Sequence, residues 1–423
     1  MARRLDARAA DFESAFTELL NARRESEEDV ASSVRAIIAD VRARGDAALV
    51  DYASRFDKVE LTALRLTDGE IAAAEAQCTP EVRDALDVAA KRIETYHRRQ
   101  LPRDESFVDE TGATLGWRWT PLDSVGLYVP GGTASYPSSV LMNAIPARVA
   151  GVARIAMVTP GINATVLSAA RRAGISEIYR VGGAQAVSAL AYGTETIAAV
   201  DKIVGPGNAY VAAAKREVFG QVGIDSIAGP SEILVISDGA SNPDWIAADL
   251  LSQAEHDSSS QSILITDDAA FAGKVEAAVA RALETLPRKE IAGASWRDFG
   301  AIVTVATLDD AASLADRIAP EHLEIATADP ERLAARVRHA GAIFLGRNTP
   351  EAMGDYIAGP NHVLPTSRTA RFSSGLSVLD FLKRTTLLSC SDLTELGPKA
   401  IALARAEGLE AHARSIAVRL DGE

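Results

Sequence analysis

Cysteine is almost missing from this chain: Cys78 and Cys390 are the only two in 423 residues. Two thiols cannot build a disulfide framework or a thiolate metal site, and their scarcity suits a reducing, cytoplasmic setting. Positive charge is also in deficit. Lys and Arg number 44 against 58 Asp and Glu, a net charge of −14. That balance speaks against nucleic acid as a partner, because phosphates demand a basic face. Long apolar runs are absent too. No uncharged stretch reaches the ~18 residues of a membrane span. The most apolar one, VLMNAIPARVAGVARIAMV, is broken by Pro146, Arg148 and Arg154. The opening MARRLDARAADFESAF lacks the apolar core of a secretory signal. Common catalytic signatures are missing as well: there is no H-E-x-x-H, no G-x-S-x-G and no Walker phosphate loop.

What remains is an ordinary soluble composition, 47% hydrophobic and 24% charged, on a chain long enough for two or more domains. Residues 1 to about 120 read as helical. Ser26–Asp29 (SEED) resembles a capping box. Val30, Val34, Ile37, Ile38 and Val41 then recur at helical spacing, and Gly45 suits a stop. From about 121, short β-branched runs alternate with helical ones: ARIAMVTP, EIYRVGG, DKIVGPG, SEILVISD, SILITD, GAIVTV, HLEIAT and GAIFLG. This alternation predicts an α/β fold with two Rossmann-like parallel-sheet domains, a helical N-terminal segment and a helical C-terminal tail. The expected boundaries are a segment 1–30, one α/β domain from 31–120 plus 232–374, a second from 121–231, and a tail 375–423. LSVLDFLKR, in that tail, reads as helix. The tail is too short to bury its own core, so it should pack on another domain or another subunit.

In such sheets ligands gather beyond the carboxyl ends of the strands. The loops YVPGGTASYP, VGGAQA, VGPGNAY and AGPSE are rich in Gly and Pro and could set backbone N–H groups against a phosphate. None completes G-x-G-x-x-G, so a dinucleotide is compatible with them rather than shown. Six histidines allow each to be weighed. His97, in TYHRRQ, reads as a solvated helix end. Gln253 and His256, three apart in LLSQAEHDSSS, share a helix face; that face is either solvated or offers two ligands to zinc or a harder divalent ion. Glu321 and His322 open the strand in APEHLEIAT, as turn polars or as an acid–base pair. Asp355 reads by default as a turn residue, and His362 is left open. Glu407 and His412, five apart, lie about 140° apart on a continuous helix and read as an exposed tail.

Together the stretches VGLYVPGGTASYPSSVLMNAIPARVAGV, VGGAQAVSALAYGTETI, DKIVGPGNAYVAAAKREVFG, AGPSEILVISD, LLSQAEHD, APEHLEI and GDYIAGPNHVLPTSRTARFSSGLSV resemble the histidinol dehydrogenases, from about residue 30 to 420. The resemblance implies oxidation of histidinol through histidinal to histidine, the last steps of histidine biosynthesis. It further implies two NAD used in succession, one zinc per active site and an intertwined homodimer. By the same resemblance the zinc ligands are Gln253, His256 and Asp355, with His412 supplied by the other subunit. Glu321 and His322 form the catalytic pair. Ser231 and Glu407 contact substrate, as do the zinc ligands and His322. Tyr128, Gln185 and Asn208 contact NAD, which makes 121–231 the expected NAD-binding domain. Two rival readings are a relative that oxidises another alcohol and a zinc hydrolase in which Glu321 activates water.

Overall fold

The computed structural model describes residues 2–22, 28–131, 136–227 and 229–420. The strands are β1 (Arg3–Asp6), β2 (Glu105–Val108), β3 (Thr114–Pro121), β4 (Ser124–Tyr128), β5 (Arg154–Val158), β6 (Glu177–Tyr179), β7 (Lys202–Val204), β8 (Gly223–Ile224), β9 (Glu232–Ser237), β10 (Gln261–Thr266), β11 (Ala301–Thr304), β12 (His322–Ala326), β13 (Ala342–Leu345) and β14 (Leu382–Ser389). Each of the eight strands read from the sequence is among them. Two parallel sheets result, ordered β1-β11-β10-β9-β12-β13 and β6-β5-β4-β7-β8. Every residue of β9, β10 and β12 is buried, as a parallel strand covered by helices on both faces must be. In the β4–β8 sheet the chain enters at the middle; in the other, after the edge strand β1, it re-enters at β9. Each then builds outward, through β4, β5 and β6 or β9, β10 and β11, and reverses. The reversals fall between β9 and β12 and between β4 and β7. Such switch points open a crevice at one end of the sheet.

Three expectations need correction. Residues 1–120 are not all helical. β1 lies parallel to β11 as an edge strand, ahead of the helix Phe12–Asn21. β2 and β3 join β14 in a separate antiparallel sheet, with Leu382 opposite Pro121 through Ser389 opposite Thr114. β2 is exposed along its whole length and β14 nearly so, so no buried face imprinted an alternating pattern on them. Likewise LSVLDFLKR is not a helix. A short 3-10 turn, Val378–Phe381, leads straight into β14. Ser377 and Asp380 do form a capping box there, a true helix-start device, but the following residues pair with β3 instead.

The third correction concerns domain grouping. The helix Glu28–Arg44 packs Val34, Ile38 and Val41 against Val187, Leu190 and Val211. The helix Pro80–Arg98 packs Leu86 and Ile93 against Leu141 and Ile145. Both therefore cover the β4–β8 sheet, not the sheet of residues 232–374. The helix Phe12–Asn21 sides with the latter, through Phe12, Phe16 and Leu19. An amphipathic stripe encodes that a helix is covered, not which sheet covers it. The start of the capping box read at Ser26–Asp29, Ser26 itself, lies outside the described residues. Gly45, at φ +56°, ends the helix after it as read. The tail helices Gly397–Ala406 and Glu410–Leu420 pack mainly on each other.

Candidate active site at the junction of the two sheets

β9 and β12 are neighbours, and both begin with an ionisable residue. Glu232 opens β9 and His322 opens β12, with Glu321 just before it. The two chain segments hold each other reciprocally. Glu232 N–H donates to Glu321 Oε2 at 2.9 Å, and Glu321 N–H donates to Glu232 Oε2 at 3.3 Å. The Ser367 N–H donates to Glu232 Oε1 at 2.9 Å. His322 Nδ1 lies 3.0 Å from the Glu232 carbonyl oxygen. A carbonyl only accepts, so Nδ1 carries the proton and Nε2 faces the other way. Nε2 is buried without a hydrogen bond. Its nearest acids are Asp355 Oδ1 at 3.5 Å and Glu351 Oε1 at 3.9 Å. Glu351 Oε1 is also buried and unbonded, while its other oxygen accepts from Ser252 Oγ at 2.9 Å.

Donor atoms of His322, Glu351 and Asp355 all lie within 4.8 Å of one another. Gln253 is buried at the end of the helix Pro243–Ala254, near enough to Glu351 to favour its charged form. His256 falls two residues past that helix and close enough to Asp355 and His322 to feel both charges. The polar end of this helix therefore faces a cluster rather than open water. Of Gln253 and His256, only Gln253 is still helical. His362 completes the group. Its Nδ1 donates to the Asp355 carbonyl at 2.8 Å and lies 3.8 Å from Asp355 Oδ1. Ser139 Oγ sits 3.3 Å from its Nε2. A cavity of about 290 Å³, lined by His322, Phe344, Met353, Asp355, His362 and Leu364 among others, opens on these atoms.

Ser139 belongs to the helix Pro137–Ala150, which follows β4 in the other sheet. Its first turn thus brings the carboxyl edge of that sheet against the amino edge of the β9–β12 sheet. Ligands were expected at carboxyl ends throughout; for the β9–β12 sheet the cluster sits at the amino end instead. The carboxyl-end crevice of that sheet is closed by Arg347, which donates to Asp238 Oδ1 at 2.7 Å and to Ser241 Oγ at 3.2 Å.

The chain matches the histidinol dehydrogenase family model over residues 20–420.

The chain belongs to the histidinol dehydrogenase family.

It is 66% identical to the histidinol dehydrogenase of Rhodospirillum rubrum, over 99% of this chain and 98% of that one. It is 65% identical to that of Rhizobium meliloti, over 100% and 99%. The crystal structure of the histidinol dehydrogenase from Elizabethkingia anophelis superposes with a TM-score of 0.96 at 37% identity, covering 100% of this chain and 98% of that one. A probable aldehyde dehydrogenase from Listeria monocytogenes shares only the fold, with a TM-score of 0.50 at 14% identity over 90% and 98% of the two chains. Like other members of the histidinol dehydrogenase family, the chain is an oxidoreductase that oxidises histidinol in histidine biosynthesis.

Around this site, burial sets the electrostatics. Desolvation pushes the Glu321 carboxyl up to about 8, against the attraction of His322. Burial also opposes charge on His322, but Glu321, Asp355 and Glu351 outweigh it and raise the imidazole to about 10. The two groups are not independent, since each leans on the other's charge. The pair holds a proton more tightly than free side chains do. Asp355 shows the converse. Burial would raise it, yet the contact with His322 holds it well below the usual carboxylate range. Burial raises Glu351 to about 7, with Asp355 adding to the effect. Burial lowers His362, against the attraction of Asp355.

The structure places the other expected residues as follows. Ser231 directly precedes Glu232 at the amino edge of β9. Tyr128 ends β4, Gln185 lies buried in the helix Gly183–Tyr192, and Asn208 precedes the helix Ala209–Val218; all three line the carboxyl edge of the β4–β8 sheet. Two amides of the Gly-rich loops are already engaged by protein, Gly183 N–H by Tyr128 Oη at 3.0 Å and Gly205 N–H by Asp225 at 2.8 Å. Glu407 and His412 are exposed on the tail, and the single chain does not bring them to the cluster. His97 corrects an expectation. It is buried, with Nδ1 2.7 Å from Ile93 O and Asn361 beside its other nitrogen. Sequence reading missed Glu351, Glu232 and Ser139. Glu351 had a faint signal, because it stands four before Asp355 at the start of the short helix Ala352–Tyr356, which puts both on one side.

Glu324 provides a test of the same electrostatics. It lies two residues after His322 on β12, so on the same face. Burial raises its carboxyl to about 9, with repulsion from Asp249 adding, while burial raises Asp249 to about 6. A folded pKa above the free value of 4.5 means that its contribution to stability is full below pH 4.5 and is lost as pH rises toward about 9. In Glu324→Gln the side-chain amide replaces the acid proton and never ionises. The variant should match the parent's Tm near pH 5 and exceed it by roughly 2–4 °C near pH 9. A lower Tm at the alkaline end would contradict the assignment.

Proposed function

We propose that this enzyme carries out the NAD-linked, zinc-dependent, four-electron oxidation of L-histidinol to L-histidine through histidinal, and does so as a cytoplasmic homodimer. One observation carries the reading: a buried imidazole, His322, presents a free ring nitrogen to an N/O cluster directly beside the switch-point edge of a dinucleotide-type sheet. The residues fit a divalent metal. Glu351 Oε1 is a buried oxygen without a hydrogen bond, within 4.8 Å of an Asp355 oxygen, and His256 lies close enough to Asp355 to feel its charge; nitrogen and oxygen donors without thiolate suit zinc or manganese. Gln253, His256 and Asp355 would hold the ion, with His412 from a second copy as the fourth ligand. Bound there, zinc supplies a Lewis-acid anchor for the imidazole and amine of histidinol without redox chemistry of its own. The dinucleotide, when bound, supplies the hydride acceptor for both oxidations.

The protein side chains divide the remaining work. His322 takes the alcohol proton at Nε2 as the carbon-bound hydrogen departs, its Nδ1 proton held by Glu232 O. Glu321, whose Oε2 is 3.7 Å from His322 Nδ1, helps remove a proton from the water that adds to the aldehyde carbon. The hydrate then loses its second hydrogen by the same route. Ser231 and Glu407 contact the substrate, Glu407 at its ammonium group. Tyr128, Gln185 and Asn208 contact NAD. Asn208 Oδ1 caps the helix Ala209–Val218 by accepting from Tyr210 and Val211, so its N–H₂ is what it offers a ligand. Asp355, oriented through its own carbonyl by His362, is the centre of the arrangement. Two rivals fit less well. A hydrolase leaves the β4–β8 switch point without a purpose. An enzyme for another alcohol gains nothing from an acidic contact at Glu407.

The tail supports the dimer. Leu388 is 70% exposed, Leu403 67% and Val418 63%, large apolar side chains that a second copy would cover. No helix among the described residues is long and apolar enough to cross a membrane. If His412 completes the partner's site, a His412→Ala variant and a His322→Asn variant should each be inactive alone. Mixed and reassociated, they should recover about a quarter of native activity, because half the dimers are mixed and each holds one intact site. No recovery in demonstrably mixed dimers would place His412 in its own chain's site or outside any site.

A further inference from the structure

Away from the catalytic cluster lies a second buried charge pair. The side chains of Lys215 and Asp225 are each 4% exposed. Burying two opposite charges is a poor route to stability, since their desolvation offsets much of their attraction. Here both are directed at a single residue. Lys215 Nζ donates to Gly205 O at 2.8 Å, to Ser226 O at 3.4 Å and to Asp225 Oδ1. Asp225 Oδ2 accepts from the Gly205 N–H at 2.8 Å. The pair thus grips both backbone polar groups of Gly205. That residue follows β7 at φ +112°, a conformation for glycine, and a Cβ there would lie 2.1 Å from the Tyr128 carbonyl oxygen. The grip therefore seats the turn Gly205–Asn208 against the end of β4, across the switch point of this sheet. Lys215 sits on the helix that Asn208 caps, and Asp225 follows β8. One ion pair ties together the helix, the strand end and the turn.

We infer that Lys215 and Asp225 are positioning residues for the dinucleotide, acting through Gly205 to fix the height of Asn208 opposite Tyr128. This rests on the proposed assignment of NAD to Tyr128, Gln185 and Asn208. The test is the double variant Lys215→Met/Asp225→Leu, an apolar pair that removes the grip without leaving an unpaired charge. Its Tm, metal content and KM for histidinol should stay near native, while KM for NAD rises roughly tenfold or more, as misplacement of a binding turn produces. A folded double variant with native KM for NAD overturns the inference and leaves the pair a structural tie. Should the double variant not fold, Asp225→Asn keeps the size and an acceptor for Gly205 while weakening the hold on Lys215. A raised KM for NAD supports the inference there too, and a native one overturns it. Tyr128→Phe and Asn208→Ala are measured alongside. If they raise KM for NAD and the double variant does not, only the positioning role fails. If neither does, the NAD assignment fails and takes the inference with it.

Discussion

Replacing His322 by asparagine should lower kcat for histidinol oxidation by about 10³-fold, within the range that loss of a general base produces. The substitution is chosen for its geometry. An asparagine amide can still donate to Glu232 O, as Nδ1 does at 3.0 Å, so the β9–β12 edge should keep its shape. What disappears is Nε2, the buried nitrogen with no hydrogen bond of its own. KM for histidinol and metal content should change little. The pH dependence follows with a definite sign. A base works in its neutral form, so activity should rise with pH. Glu321 and Asp355 hold the proton on His322 despite burial and raise it to about 10. The acid limb should therefore lie above the ordinary histidine range, and any cation that neutralises Asp355 should move it down. The same raised pKa means that the imidazolium's stabilising contacts are complete below pH 6.5 and lost as pH rises toward about 10. Near-normal turnover in the variant, or an unshifted acid limb that survives it, would remove His322 from the base role.

Asp355→Ala is the second large effect. Asp355 is the acid shared by every part of the cluster, 3.5 Å from His322 Nε2 and 3.8 Å from His362 Nδ1. Removing groups that merely support a metal ligand costs 10–100-fold, so loss of a ligand itself should cost on the order of 10³-fold in kcat/KM. The purified variant should hold far less than stoichiometric zinc, and added metal should restore little. His322 should at the same time lose an attraction that keeps it protonated, so what activity remains should have its acid limb at lower pH. Stoichiometric zinc in a folded Asp355→Ala protein would show that the ion is held elsewhere.

The legibility of these features in the sequence follows their burial. β9 and β10 were readable because every residue in them is enclosed, which forces continuous apolar runs. β2 and β14 were not, because exposed antiparallel strands carry no such constraint. Glu321 and His322 could be found as neighbours at a strand entrance. Glu351 left only its spacing to Asp355, because its partner His322 lies 29 residues earlier in the chain and meets it only through the parallel pairing of β12 with β13. His97 misled because the flanking Arg98 and Arg99 are solvated while its own side of the helix is pressed against Asn361. The tail was legible as an element in search of a surface, but the single chain does not contain the surface.

The most direct measurement is the NADH formed per histidinol consumed by the zinc-loaded enzyme. The account predicts about two, abolished by a chelator and restored by zinc. About one NADH, with histidinal as the end product, would contradict it, and would leave Glu321 without a water to activate.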